Sequence, residues 1–261
     1  TITFTPKKTF VGPAKPVKVQ IKDVNGTKVE TTYTPTVTDV TITPKDKTSE
    51  GNLGKTQTGT PEFEVSSPDV RITGYKLLNP TGDTPIEGNE FEDPEQGTYR
   101  INPTTGQVTF IPKPGFKGEA KGIKVRATDE NGETADAKYT PTVNPFIVVV
   151  VDQESKNIQG LPQEETPTFT LPEDASNATI TSRKLVDPAN PTNPPKDTVT
   201  LDGKGTFRID GNGKVTFTPE PAYTGDVPSS TVKATITVTN DKGESATIDS
   251  EAHYKPVIVP L

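Results

Sequence analysis

The chain has no cysteine, no tryptophan and a single histidine, His253, in 261 residues. Without cysteine, neither a disulfide framework nor a thiolate-held metal is available. Hydrophobic residues make up 29% and aromatics 6%, against an apolar share of about 45–50% (glycine included) in ordinary globular domains. The cores are therefore expected to be small or thin two-layer ones. The most apolar stretch, PFIVVVV from Pro145, is far shorter than the roughly 20 residues that span a bilayer. Basic residues number 28 and acidic residues 35, interleaved, for a net charge of −7. No basic stripe is present to neutralise phosphates, so nucleic acid is not an expected partner. No signal peptide is visible and the chain starts with Thr1, which reads as a fragment of a longer protein.

Catalytic patterns are missing too. There is no H-E-x-x-H, G-x-S-x-G or P-loop, and no strand–helix context around Gly203-Lys204-Gly205 or Gly211-Asn212-Gly213, which read as turn glycines. His253, beside Tyr254, reads as a surface or packing residue. The expectation is a protein that is not an enzyme, with no catalytic, cofactor-binding or metal residues.

Proline is plentiful instead, at 27 residues, with 21 glycines spread along the chain. Proline removes a helix donor and glycine costs backbone entropy, so long helices are excluded. Segments such as Ile2-Thr3-Phe4, Val108-Thr109-Phe110 and Val215-Thr216-Phe217 alternate apolar with polar, the period of a strand with one buried face. Val17, Val19 and Ile21 repeat the pattern, as do Ile123, Val125 and Ala127, then Ala234, Ile236 and Val238. Asn25-Gly26 and Asn131-Gly132 follow directly and predict tight hairpins with positive φ at both turn positions. Asp241-Lys242-Gly243 predicts a similar turn with one more residue.

These strands belong to a repeat. Phe4 recurs as Phe110, 106 positions later, and Phe10 as Phe116, Gly12 as Gly118, Tyr33 as Tyr139, and Pro35 as Pro141 at the same spacing. A third copy follows with Phe217, Gly225, Gly243 and Tyr254, and Gly26 matches Gly132. A front half recurs twice: TPEF at Thr60 with TPTF at Thr166, KLLNP at Lys76 with KLVDP at Lys184, GTYRI at Gly97 with GTFRI at Gly205. The expected organisation is the C-terminal half of a repeat at 1–37, its front half missing or its boundary shifted, a full unit at 38–145, and a longer full unit at 146–261. The alternative is a boundary rotated by half a unit, with units beginning near Thr1 and Gln107 and a trailing half from Lys214. About seven short strands per unit predict an all-β fold of tandem antiparallel, immunoglobulin-like β-sandwiches set end to end as an elongated rod.

The run GTYRINPTTGQVTFIPKPGFKGEAKGIKVRATDENGETADAKYTPTV, preceded by TPEF and KLLNP, resembles the CshA-type fibril repeat of streptococcal and other Gram-positive surface adhesins. The resemblance covers essentially the whole chain. It implies a secreted, cell-wall-anchored protein of the bacterial cell surface, whose repeats form a fibril that carries a ligand-binding region outward. It implies as partners the neighbouring repeats of the same chain, with host matrix or other cells bound by another region. The third unit departs from the pattern, with KPVIV in place of TPTV, and reads as an end unit or one facing a different neighbour.

Several residues admit two readings. The acidic group Glu87, Glu90, Glu92, Asp93 and Glu95 has the oxygen chemistry for Ca²⁺, but a solvated loop is the simpler reading, since the third unit has PANPTNPPKDT there. Asp23 and Asp129 read as caps of their own turns. Lys76 and Lys184 recur, with Asp129 and Asp241 as acidic partners for an intramolecular amide staple, but no recurring Asn stands out. Tyr33, Tyr139 and Tyr254 read either as an exposed ligand platform or as tyrosines packed at the sandwich edge with hydroxyls bonded to backbone. The recurring Phe, Gly, Asn-Gly and Val/Ile are turn and core types, which favours a structural stalk. Adhesive binding modules would show recurrent exposed aromatics or arginines.

Overall fold

A computed structural model describes all 261 residues, and every regular element is a strand. The prolines and β-branched residues have the effect expected of them.

Residues 42–144 form two facing sheets. One has the order Glu90–Asp93, Gly97–Ile101, Val108–Pro112, Gln57–Gly59. The other runs Gly118–Glu119, Thr134–Asn144, Ile123–Asp129, Ile72–Leu77. Alternate residues of each strand point between the sheets, so Tyr99, Ile101, Val108 and Phe110 of one meet Leu77, Ile123, Val125 and Tyr139 of the other in one core. The Tyr99 ring lies 4.7 Å from Phe110 and edge-on to Tyr139 at 6.4 Å. Residues 149–259 repeat the plan, with Phe207 and Phe217 rings 4.6 Å apart and Tyr254 edge-on to Phe207 at 6.2 Å. Each buried aromatic contributes roughly 1.5–3 kcal/mol by leaving water. The glycine of the GTYRI and GTFRI runs is required by close approach: a Cβ at Gly97 would sit 2.7 Å from the Phe110 ring, and one at Gly205 2.7 Å from Phe217.

Two features depart from the sequence reading. First, the sheets are not wholly antiparallel. Lys47–Asn52 runs parallel to Tyr139–Asn144, and Gln153–Ile158 parallel to Tyr254–Val259. In each unit the last strand meets its hairpin partner along one edge, and the parallel strand lies along the opposite edge of its second half.

Second, the hairpin loops are not two-residue turns. Asp129 N–H donates to Glu133 O and Gly132 N–H to Asp129 O, closing a loop over 129–133. Only the glycine has positive φ, +89° at Gly132 and +86° at Gly26. The aspartate explains the longer loop: Asp129 Oδ1 accepts from Asn131 N and Glu133 N, each at 2.9 Å, and Asp23 does the same for Asn25 and Thr27. The third loop, Asn240 to Glu244, has the same length and bonding rather than an extra residue.

Residues 1–37 form the hairpin Val17–Lys22 with Lys28–Tyr33 and a short Gly12–Pro13 pairing with Thr36–Val37. The front-half strands that cover the equivalent hairpin in the next unit have no counterpart here. Val17, Ile21 and Val29 are exposed, and Ala14 is the sole buried residue of this segment.

Candidate functional site: a tyrosine latch and the joint between units

Two of the three recurring tyrosines are buried, not displayed. Tyr139 and Tyr254 are fully enclosed, which removes them as a ligand platform. Their hydroxyls bond side chains rather than the expected backbone. Tyr139 Oη lies 2.6 Å from Ser49 Oγ, Ser49 Oγ donates to Gln57 Oε1 at 2.6 Å, and Gln57 Nε2 donates to Thr142 O at 2.9 Å. Because Ser49 spends its one proton on Gln57, Tyr139 donates and Ser49 accepts. The third unit repeats the chain with Tyr254, Ser155, Gln163 and Val257 O. Burial raises the pKa of both tyrosines, opposed in part by the serine contact. This latch ties Lys47–Asn52, or Gln153–Ile158, to the last strand of the same unit. Ser49 and Ser155, and Gln57 and Gln163, share the 106 spacing of the other repeats. That spacing was the available signal, and sequence reasoning passed over it. Tyr33 has no such partners, since no front half lies beside it, and it is partly exposed.

The other repeat residues divide by unit. Phe110 and Phe217 are fully buried, while Phe4 is exposed and rests edge-on against Phe10 at 6.4 Å. Gly12 and Gly118 share φ +106°, and Gly243 has φ +77°; Gly225 lies outside the positive-φ set. The acidic group is dispersed into pairs. Glu90 meets Arg100 at 2.7 Å, Glu92 meets Lys113 at 3.3 Å, and Asp93 caps the backbone of Glu95 and Gln96. Lys184 pairs with Asp197 at 2.5 Å, while Asp241 bonds Thr56 of the preceding unit. The Lys184–Asp241 pairing considered for an amide staple is therefore not assembled. His253 sits half-exposed, with Nδ1 3.5 Å from Asp152 Oδ1.

The most developed polar contacts lie where the second unit meets the third. The Asn240–Glu244 loop reaches back to the end of the second unit. Asn240 is nearly buried, and its Nδ2 donates to Pro112 O at 2.8 Å and to Glu244 Oε1 at 3.1 Å. Lys113 Nζ meets Glu244 Oε2 at 2.8 Å, and Lys242 Nζ donates to Thr98 Oγ1 at 3.2 Å. The Lys113 hydrogen bond is the main cause that lowers the Glu244 pKa, and the same contact raises that of Lys113. On the other side, Asn177 Nδ2 donates to Leu53 O, Asn52 to Asp174, and Lys55 to Ser176. Between these polar contacts, Leu53 of the second unit shares a continuous core with Ala175, Ala178, Ile236 and Val238 of the third.

The same pieces face each other one step earlier. Asn131 and Glu133 of the second unit's loop line a cleft with Pro6, Lys7 and Phe10, which correspond to Pro112, Lys113 and Phe116. Here Asp129 stands where Asn240 stands, and its Oδ2 is buried without a partner.

Repeated units that meet one another through the same loop and the same end form a modular array. The chain matches the surface adhesin CshA repetitive domain over residues 1–37, 39–143 and 146–258. It belongs to the CshA repeat family. The CshA repeat is thus matched in three segments, of which the first is the shortest. No curated protein matches the chain. Among solved structures, the chain is similar to the titin domains z1z2 in complex with telethonin, at 16% identity over 84% of this chain and 97% of that one, TM-score 0.38. It is also similar to the I9-I11 tandem of titin, at 14% identity over 88% and 71%, TM-score 0.32. Mouse cadherin-23 EC22-24 matches at 13% identity over 94% and 74%, TM-score 0.32. No helix of this CshA repeat chain is long and apolar enough to cross a membrane.

Proposed function

We propose that this chain is a length of structural stalk from a cell-wall-anchored fibrillar adhesin of a Gram-positive surface. Its units would stand end to end and carry a ligand-binding region away from the cell. The units are taken as 1–37, 38–145 and 146–261, with the first a half repeat. The observation that carries the reading is the joint. A hydrogen-bonded loop, an ion pair and a shared apolar core fix the third unit on the second, and a stalk needs joints that resist bending. The recurring residues hold turns, cores and latches, which is the division of labour expected of a spacer. A role as adhesive modules would place recurring aromatics or arginines on one open face, whereas Tyr139 and Tyr254 are enclosed.

Small-angle X-ray scattering on the whole chain tests this. Units of about 35–45 Å laid end to end give a radius of gyration near ~30 Å with a rod-like distance distribution. A compact body of this length gives about 18 Å, and that result would sink the stalk reading.

A further inference from the structure

The two ends that a unit can present to its successor are not alike. The second unit meets the third through Asn52, Lys55 and Lys113, which bond Asp174, Ser176 and Glu244. The matching positions in the third unit follow from shared backbone bonds. Leu161 N–H donates to Ile158 O as Lys55 N–H donates to Asn52 O, and Glu220 N–H donates to Lys204 O as Lys113 N–H donates to Gln96 O. In the parallel ladders, Ile158 pairs with Val259 as Asn52 pairs with Asn144. Asn52, Lys55 and Asn144 thus become Ile158, Leu161 and Val259, and Lys113 becomes Glu220.

Three polar positions have become apolar, and a cation has become an anion. Ile158, Leu161 and Val259 are 45%, 49% and 45% exposed. They lie next to one another, through the Ile158–Val259 pair and the Ile158–Leu161 turn. Glu220 is exposed and has no ion-pair partner, and Pro221 beside it is exposed as well. Three contiguous large apolar side chains on open surface, rimmed by a charge, mark an interaction site rather than a solvated end.

We propose that this end of the third unit is a docking surface for a β-sandwich domain of a different kind from the repeats in this chain. That domain presents an apolar loop where the third unit presents Asp174 and Ser176, and a Lys or Arg where the third unit presents Glu244. The argument is one of continuity and charge. The surface is the homologue of one already seen engaged, and its chemistry is inverted at the three positions that bond the third unit there and at Asn144 beside them. A repeat like the third unit would set Glu244 against Glu220 and Asp174 against Ile158, a like-charge contact and a desolvated carboxylate, both unfavourable. The chain therefore carries a junction code: Lys113 accepts an acidic loop, Lys7 lines the matching cleft with Glu133, and Glu220 rejects such a loop. The proposal rests on the stalk reading for its joint geometry and goes beyond it in naming the next partner.

The test is to extend the full chain past Leu261 with a second copy of residues 146–261 and to measure spin-label distances across both joints. The wild-type end should give a broad distribution at the new joint. The grafted end Glu220→Lys, Ile158→Asn, Leu161→Lys, Val259→Asn should give a single narrow peak like that of the internal joint. Changing Glu244→Lys in the appended copy alone should narrow the wild-type distribution. A narrow peak with the unmodified end overturns the proposal, and so does a broad one that neither change sharpens. The internal joint serves as the separate control: a broad peak there counts against the stiff stalk, whatever the new joint does.

Discussion

Replacing Ser49 with alanine should hurt the second unit more than removing the tyrosine that Ser49 serves. The Ser49 hydroxyl has two jobs at once, accepting from Tyr139 and donating to Gln57 Oε1, each at 2.6 Å. Tyr139 is fully buried and Gln57 is 5% exposed, so water cannot replace the lost partner. Ser49→Ala leaves two buried polar atoms unsatisfied, at about 1–3 kcal/mol each, or about 2–6 kcal/mol together. Tyr139→Phe leaves the Ser49–Gln57 bond intact and should cost only about 1 kcal/mol. In the double variant the tyrosine hydroxyl is gone, so only Gln57 is stranded, and the combined loss falls short of the sum by about 2–4 kcal/mol. The whole stability of such a unit is of order 5–15 kcal/mol, so Ser49→Ala should lower the Tm of the second unit by roughly 10 °C or more. Urea denaturation followed by far-ultraviolet circular dichroism and tyrosine fluorescence gives the cycle, undisturbed by tryptophan, which the chain lacks. If Ser49→Ala cost no more than Tyr139→Phe, or if the two losses simply added, the latch would not be wired as described.

Four further outcomes follow. Asn240→Asp keeps the turn-capping oxygen but replaces the donor to Pro112 O with an acceptor; it should weaken the joint by about 1–3 kcal/mol, seen as two separated unfolding transitions in calorimetry where the parent shows coupled ones. Gly54→Ala should loosen the same joint, because its φ is +73° and a Cβ there would lie 2.7 Å from Asn177 Nδ2. Gly160→Ala has equal strain at +77° but no such clash, so the two variants should have similar Tm values yet differ in inter-unit distance. The Glu244 carboxyl has its folded pKa lowered and the Lys113 amine its folded pKa raised. The Glu244 contribution is present above the unfolded carboxylate value and is lost as pH falls through the folded one. The Lys113 contribution is present below the unfolded lysine value and is lost as pH rises through the folded one. Joint order measured by spin-label distance should therefore fail at both extremes, and Lys113→Gln should abolish the alkaline limb and shrink the acid one, which the Asn240 contact with Glu244 still supports. Finally, Tyr99→Phe should be neutral or slightly stabilising in urea, since the Tyr99 hydroxyl is buried without a partner and Phe207 fills the same place in the third unit.

The sequence by itself determined the period, the strands and the core. Phe110 and Phe217 recur at the spacing of a repeating sandwich, and Val125 or Ile236 alternate with polar neighbours, because a strand with one buried face must do so. The caps by Asp23 and Asp129 were equally legible, since an aspartate reaches its own turn over a few residues. Tertiary structure decided what depends on distant partners. Nothing local in Tyr139 names Ser49, 90 residues away, so the tyrosines could be read as display residues until the front strand was laid beside the last one. The parallel edge pairs required knowing which distant strand the fold lays along the open edge of the last one. The loop length was set by the aspartate's two backbone bonds, not by the Asn-Gly pair. The joint was least visible of all. Asn240 looks like one more turn residue in the chain, and only the packed units show its amide reaching Pro112. Short-range chemistry is written in the order of residues, while a contact between units depends on which surfaces the fold brings to the same place.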